Sequence, residues 1–436
     1  MLRACAQRYS VRPLSTPVIL RGRSPLLPCR SYFKTQPLEL PPKNRTKHRH
    51  NPAPVPQYTA PAPQYASPES APIEPEVILL DQNGDKVVKP PVLVSVRNQA
   101  LFVGFGIFGV FLWAAVQTNT DTDKWVERIT QGQPVEGLDN DTIRRTKEFE
   151  LVETLKGWLR VVVRETESLS PIPRASIRDA LVSAANVYVN ASDAQRICWA
   201  ICAFNGAVFL AWKVPRFTPF MMNNFLHYPL SGKSRTLLTS VFSHSSFFHL
   251  LFNSMALSSG FGAATAHYLS RQQKEGSSGR LESTVAYHFL AFFVAAGLLS
   301  SLASHNLRVT VYNAMVRRLA KAVQPAMDFS IRPSLGASGA IYATVTLCAL
   351  AFPETKVQPL FIPLAIPIQY GVGGMVALDL IGLIRGWSTF DHFAHLGGAM
   401  FGLWYYMYGT STWDQWRDLA AYLFDDRPEE VRIVRG

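Results

Sequence analysis

The apolar residues of this 436-residue chain are gathered into seven blocks, at 100–117, 197–213, 237–259, 284–304, 337–352, 364–385 and 391–409, with charged or Pro-rich stretches between them. A hydrophobic fraction of 48% is ordinary for a soluble protein, so the clustering constrains the fold more than the composition does. The first block runs eighteen residues without a charge, about 27 Å as a helix at 1.5 Å per residue, enough for a short membrane span. Gly, Ser, Ala and Asn are interspersed in the blocks, as suits helices packing closely in lipid. The expected fold class is an all-α membrane protein, with a core of six helices at 197–409 preceded by one additional N-terminal transmembrane helix at 100–117. No internal repeat points to a transporter built from inverted halves.

The segments between the blocks have distinct characters. The formal net charge of +12 sits mainly in the N-terminal tail and the loops. Membrane topology selects for loop charge of this kind, so nucleic-acid binding is not expected. Seven basic residues (Arg3, Arg8, Arg12, Arg21, Arg23, Arg30 and Lys34) precede the first acidic one, Glu39. With Ser and Leu among them, residues 1–40 read as a mitochondrial transit peptide. Residues 41–99, dense in Pro over 41–76, read as a disordered linker. Residues 118–196 combine helical apolar spacing with many charges, broken at Pro171 and Pro173. They predict an amphipathic helical hairpin outside the bilayer, a place to gate substrates or bind a regulatory partner. Residues 410–436 are left as a C-terminal tail. The five cysteines (Cys5, Cys29, Cys198, Cys202 and Cys348) fit no zinc or disulfide spacing.

Three core blocks hold polar groups, which are costly in a bilayer and need a reason. The second carries His244, His249 and Asn253. The fourth opens Gly336-Ala337-Ser338-Gly339-Ala340, and the sixth Asp391-His392-Phe393-Ala394-His395-Leu396-Gly397-Gly398. One span separates each pair, so all three blocks enter the membrane from the same face, with Ser338 and His395 at similar shallow depth. A serine needs a base within hydrogen-bond reach, and His395 supplies one. A Ser–His dyad is the simpler proposal, since no carboxylate is placed to complete a triad. Tyr342, one turn after Ser338, lies on the same helical face, either supporting the His395 ring or simply packing. His249 and Asn253, spaced i, i+4, are oxyanion donors or interhelical ties, and the Ser338 backbone N–H is a third donor. Gly336 and Gly339, with Gly397 and Gly398, allow close helix approach. His244 is expected to hold the first loop, and His392 with Asp391 to order the start of the sixth helix. Asp379, ionisable within the fifth block, marks a functional site by default but has no partner to name.

Taken in this order, the motifs resemble the rhomboid family of intramembrane serine proteases over roughly residues 197–409. The N-terminal span, the transit-like start and the Phe390–Gly398 run resemble its mitochondrial, presenilin-associated rhomboid-like branch. The resemblance implies a six-helix rhomboid core with a water-filled cavity, Ser338 as nucleophile, His395 as general base, and His249 and Asn253 at the oxyanion. It implies no metal and no cofactor. It also implies single-span membrane proteins of the mitochondrial inner membrane as substrates, in contact with membrane lipid. Non-catalytic relatives that escort membrane clients lack the nucleophile or the base, and this sequence carries both.

Overall fold

The computed structural model describes residues 78–80, 86–88, 93–133, 137–275, 280–322, 333–358, 364–387 and 390–424. The transit-peptide expectation, and most of the expected linker, fall outside these residues. Within the linker, β1 (Ile78–Leu80) pairs antiparallel with β2 (Lys86–Val88).

Apart from one further two-residue ladder, the other elements described are helices. Helix α1 (Arg97–Thr130) does not stop where its apolar run ends but continues as one 34-residue helix. Its polar continuation is satisfied internally. Thr118 and Thr122 return their hydroxyls to carbonyls one turn back, and the helix ends where Gln131 and Gly132 turn left-handed. Asp139 then caps α2 (Asn140–Glu165) by accepting from the Thr142 N–H. Helix α2 ends before Pro171 and Pro173, expected as breakers, and these two also open α3 (Pro171–Asn190), where the missing N–H costs nothing. Helices α2 and α3 pack on each other, and α3 buries no residue. A capping box, Ser192 with Gln195, starts α4 (Asp193–Trp212).

The first loop folds into short helices, α5 (Thr218–Phe225) and α6 (Thr236–Thr239). The block expected as one span at 237–259 is broken. Helix α7 (Phe247–Ala256) passes through a π-turn at Leu257–Phe261, with Gly260 at φ 116°, into α8 (Gly262–Glu275). Gly260 adopts a backbone conformation that side chains disfavour, and Gly262 lies so close to Cys198 that a Cβ there would sit 2.3 Å from its sulfur. Then follow α9 (Ala286–Ala322), α10 (Ser338–Ala351), a two-residue ladder of β3 (Lys356–Val357) with β4 (Ile366–Pro367), α11 (Ile368–Arg385) and α12 (His392–Phe424).

Helix α10 is the hub. It packs against α8, α9, α11 and α12, and ten of its fourteen residues are buried. At 1.5 Å per residue it is about 21 Å long, short of the ~30 Å hydrocarbon thickness. Four described helices, α1, α4, α9 over Ala286–Ala314, and α11, are long and apolar enough to cross a membrane. The chain is a multi-helix, all-α membrane protein.

Helix α12, expected to end near residue 409, continues to Phe424, and its extension packs against α1 and α9. Phe111 of α1 stacks on Tyr405 and Trp416 at 6.0 and 5.9 Å, and His288 of α9 lies flat on Trp413 at 4.1 Å. Beyond these rings, Arg417 donates to Asn119 Oδ1 (2.8 Å) and to the Leu281 carbonyl (3.0 Å). Asn140 of α2 accepts from the Glu282 N–H at 2.7 Å. The Glu282 side chain is wholly buried there, and burial pushes its carboxyl up from 4.5 to about 7, against the pull of Arg417 and Arg144. A carboxyl raised in the folded state contributes stability fully below its unfolded value and loses it as pH rises to the folded value. The thermal midpoint of the detergent-solubilised protein is therefore expected to fall between pH 4.5 and 7. Glu282→Gln should remove that part of the slope, as thermal unfolding across a pH series would measure.

Candidate active site

Ser338 is the first residue of α10 and His395 the fourth of α12. Their helices come together because both carry glycine where they touch. A Cβ on Gly398 would lie 2.0 Å from the Gly339 carbonyl oxygen, and one on Gly339 would lie 2.5 Å from Ser300 Cβ of α9. A Cβ on Gly397 would lie 2.8 Å from that of Ala303. With the helices seated in this way, the Ser338 hydroxyl donates to His395 Nε2 at 2.9 Å. Ser338 is half-buried and His395 is buried. The Tyr342 ring lies parallel to the His395 imidazole, 10° from coplanar with centroids 4.4 Å apart.

Behind the imidazole stands Asp379, buried on α11. Its Oδ1 accepts from His395 Nδ1 (3.1 Å) and from His392 Nδ1 (2.5 Å), and its Oδ2 accepts from the Tyr342 hydroxyl (2.5 Å). A carboxylate only accepts, so His395 carries its proton on Nδ1 and presents the Nε2 lone pair to Ser338. Three donors on one carboxylate meet the cost of an acidic group at this depth. Sequence reasoning singled out Asp379 but found no partner for it. The available signal was depth: Asp379 lies six residues before Arg385, where α11 ends. That puts it about 9 Å below the face at which α10 and α12 begin. His392 turns out to bind Asp379, while Asp391 alone orders the helix start. Asp391 accepts from the Ala394 N–H at 3.2 Å and is held by Ser304 (2.8 Å) and Arg308 (3.0 Å).

The chain segment leading into Ser338 is pinned from several sides. His227 and Ser334 exchange two backbone hydrogen bonds (3.0 and 2.9 Å), and the Gly336 N–H donates to the Ser240 carbonyl at 2.9 Å. Gly336 has φ 130°, and a Cβ there would lie 2.6 Å from the His249 ring, so the residue is glycine for two reasons. His249 thus faces the loop immediately before the serine. Asn253 donates to His244 Nε2 at 2.9 Å, and the Ala337 N–H approaches the same nitrogen at 3.5 Å. His244 therefore braces Asn253 and the approach to α10, rather than holding the first loop. The Ser338 N–H lies at the positive end of α10. Among the described residues no group of three or more His, Cys, Asp or Glu is arranged to hold a metal.

This geometry defines a helical membrane protein in which Ser338, His395 and Asp379 form a hydrogen-bonded chain across three helices. A model of the rhomboid domain matches residues 231–411. It is 32% identical over 222 residues to the mitochondrial presenilin-associated rhomboid-like proteins of Bos taurus and Homo sapiens, covering 50% of this chain and 50% of each relative. It is 33% identical over 224 residues to presenilin-associated rhomboid-like protein A, mitochondrial, of Danio rerio, covering 50% of this chain and 49% of that protein. The chain thus spans about half the length of the curated relatives it matches.

The contact between Gly398 and the Gly339 carbonyl is the tightest lever on the Ser338–His395 distance. Gly398→Ala is expected to force α12 off α10 and to lower the rate at which a fluorophosphonate labels Ser338 by at least about tenfold. Gly104→Ala, with nothing within 4 Å of its added carbon, should label at the parent rate.

Proposed function

We propose that this chain is an intramembrane serine endopeptidase of the mitochondrial inner membrane. On this reading it cuts single-span membrane proteins in or near their transmembrane segments. The observation that carries the proposal is the 2.9 Å hydrogen bond from Ser338 to a His395 whose other nitrogen donates to a buried carboxylate. The similarity to mitochondrial rhomboid-like proteins supports the compartment.

In this reading Ser338 Oγ attacks the scissile carbonyl carbon while its proton passes to His395 Nε2. The negative charge on the carbonyl oxygen is met by the Ser338 N–H at the α10 N-terminus and by His249 and Asn253. Collapse breaks the C–N bond, and His395 returns the proton to the leaving amine. Water then repeats the sequence on the acyl ester, restoring the Ser338 hydroxyl. Asp379 orients the imidazole and stabilises its protonated form, and Tyr342 stacking limits ring rotation.

The topology that fits is one plus six. Helices α1, α4, α7 with α8, α9, α10, α11 and α12 each cross once, so Ser338 and His395 open to a single compartment. The α2–α3 hairpin lies on the opposite side, where a regulatory partner would bind.

The test is cleavage in proteoliposomes, using the full chain and a panel of single-span inner-membrane proteins. Ser338→Ala and His395→Ala are each expected to lower kcat/KM by on the order of 10³-fold, and Asp379→Asn by at least about tenfold. Cleavage that persists in Ser338→Ala would sink the assignment of the nucleophile.

A further inference from the structure

Two histidines, not one, stand on the Asp379 carboxylate. His392 lies one turn before His395 on α12, and it makes the shorter of the two hydrogen bonds to the same oxygen, 2.5 Å against 3.1 Å. Its far nitrogen, Nε2, is buried without a hydrogen-bond partner and lies against Gly382 of α11, where a Cβ would come within 2.4 Å of the ring. The imidazole is therefore wedged between α11 and α12 with one working group, the Nδ1–H aimed at Asp379. It does not touch Ser338 and is no substitute base. Asp379 belongs to α11, whereas both histidines belong to α12. Of the bonds that hold the carboxylate in place, Tyr342 fixes Oδ2 and His392 fixes Oδ1. Without His392, Oδ1 would be tied only by the longer bond to His395, which moves and changes charge during the reaction.

We propose that His392 is a positioning residue, whose Nδ1–H fixes the Asp379 carboxylate in the one orientation that receives His395. The inference rests on the reading of Ser338 and His395 as the catalytic pair. An orienting bond made before the chemistry affects how well the transition state is held, with little effect on substrate binding.

The experiment compares donors of different reach in the full chain, in proteoliposomes. His392→Asn puts an amide N–H where the imidazole Nδ1 stands, and His392→Phe keeps the ring without the donor. His392→Phe is expected to lower kcat by about tenfold or more with KM within about twofold, and to slow fluorophosphonate labelling of Ser338 in proportion. His392→Asn is expected to recover kcat to within about threefold of the parent. If the Phe variant does not fold, as judged by its thermal midpoint, His392→Gln replaces it, since its amide reaches the far side of the ring and misses Asp379. A kcat within twofold of the parent in the donor-less variant would overturn the proposal. So would an Asn variant as slow as the donor-less one, or a loss confined to KM. Ser338→Ala, run alongside, reports separately on the protease reading: turnover surviving there removes the catalytic pair itself, whatever the His392 variants do.

Discussion

The closest constraint in the molecule is the contact of two glycines, with Gly398 of α12 seated against the Gly339 carbonyl of α10. Ser338 directly precedes Gly339, and His395 lies one turn before Gly398. The backbone approach therefore sets the hydrogen-bond distance between the two side chains. In lipid, where apolar burial gives no preference for one helix over another, such small-residue contacts and interhelical hydrogen bonds do most of the holding. Ser300 and Ala303 of α9 close the same junction from the third side, so three helices are indexed to one another at the level of the reacting groups.

The polar groups follow from that indexing. A carboxylate is tolerated on α11 because donors from α10 and α12 converge on it. The same convergence fixes the tautomer of His395. The loop entering α10 is held by backbone bonds to the first loop and by the His244–Asn253 brace. The surroundings of Ser338 are thus held on the loop side as well as on the helix side. The serine sits at a helix N-terminus, where unpaired N–H groups point outward.

The blocks that form α1, α4, α9 and α11 were legible because bilayer burial demands long apolar runs and makes each polar exception conspicuous. The helix ends were not legible. Helices α1 and α12 run on past residues 117 and 409 because Asn119 and Arg417 bond each other across the two helices, while Thr118 and Thr122 are satisfied within α1. Such partners exist only once the helices are assembled. The break at Gly260 was hidden for a similar reason, since a single glycine in an apolar run is more often a packing site than a π-turn. The partnership of Asp379 with His395, His392 and Tyr342 spans three helices, and no periodicity along one segment encodes it. The depth of Asp379 was the one readable clue.

The shortness of α10 bears on a reactant that is easily overlooked. Hydrolysis consumes a molecule of water for every bond cut, and the hydrocarbon interior supplies almost none. The fourteen-residue α10 packs against the much longer α9 and α12, and Ser338 stands at its N-terminal tip. That tip is half-buried rather than enclosed, so the hydroxyl is open to water from the end of the helix. On the protease reading proposed above, water and a membrane-embedded substrate therefore come to Ser338 by different routes.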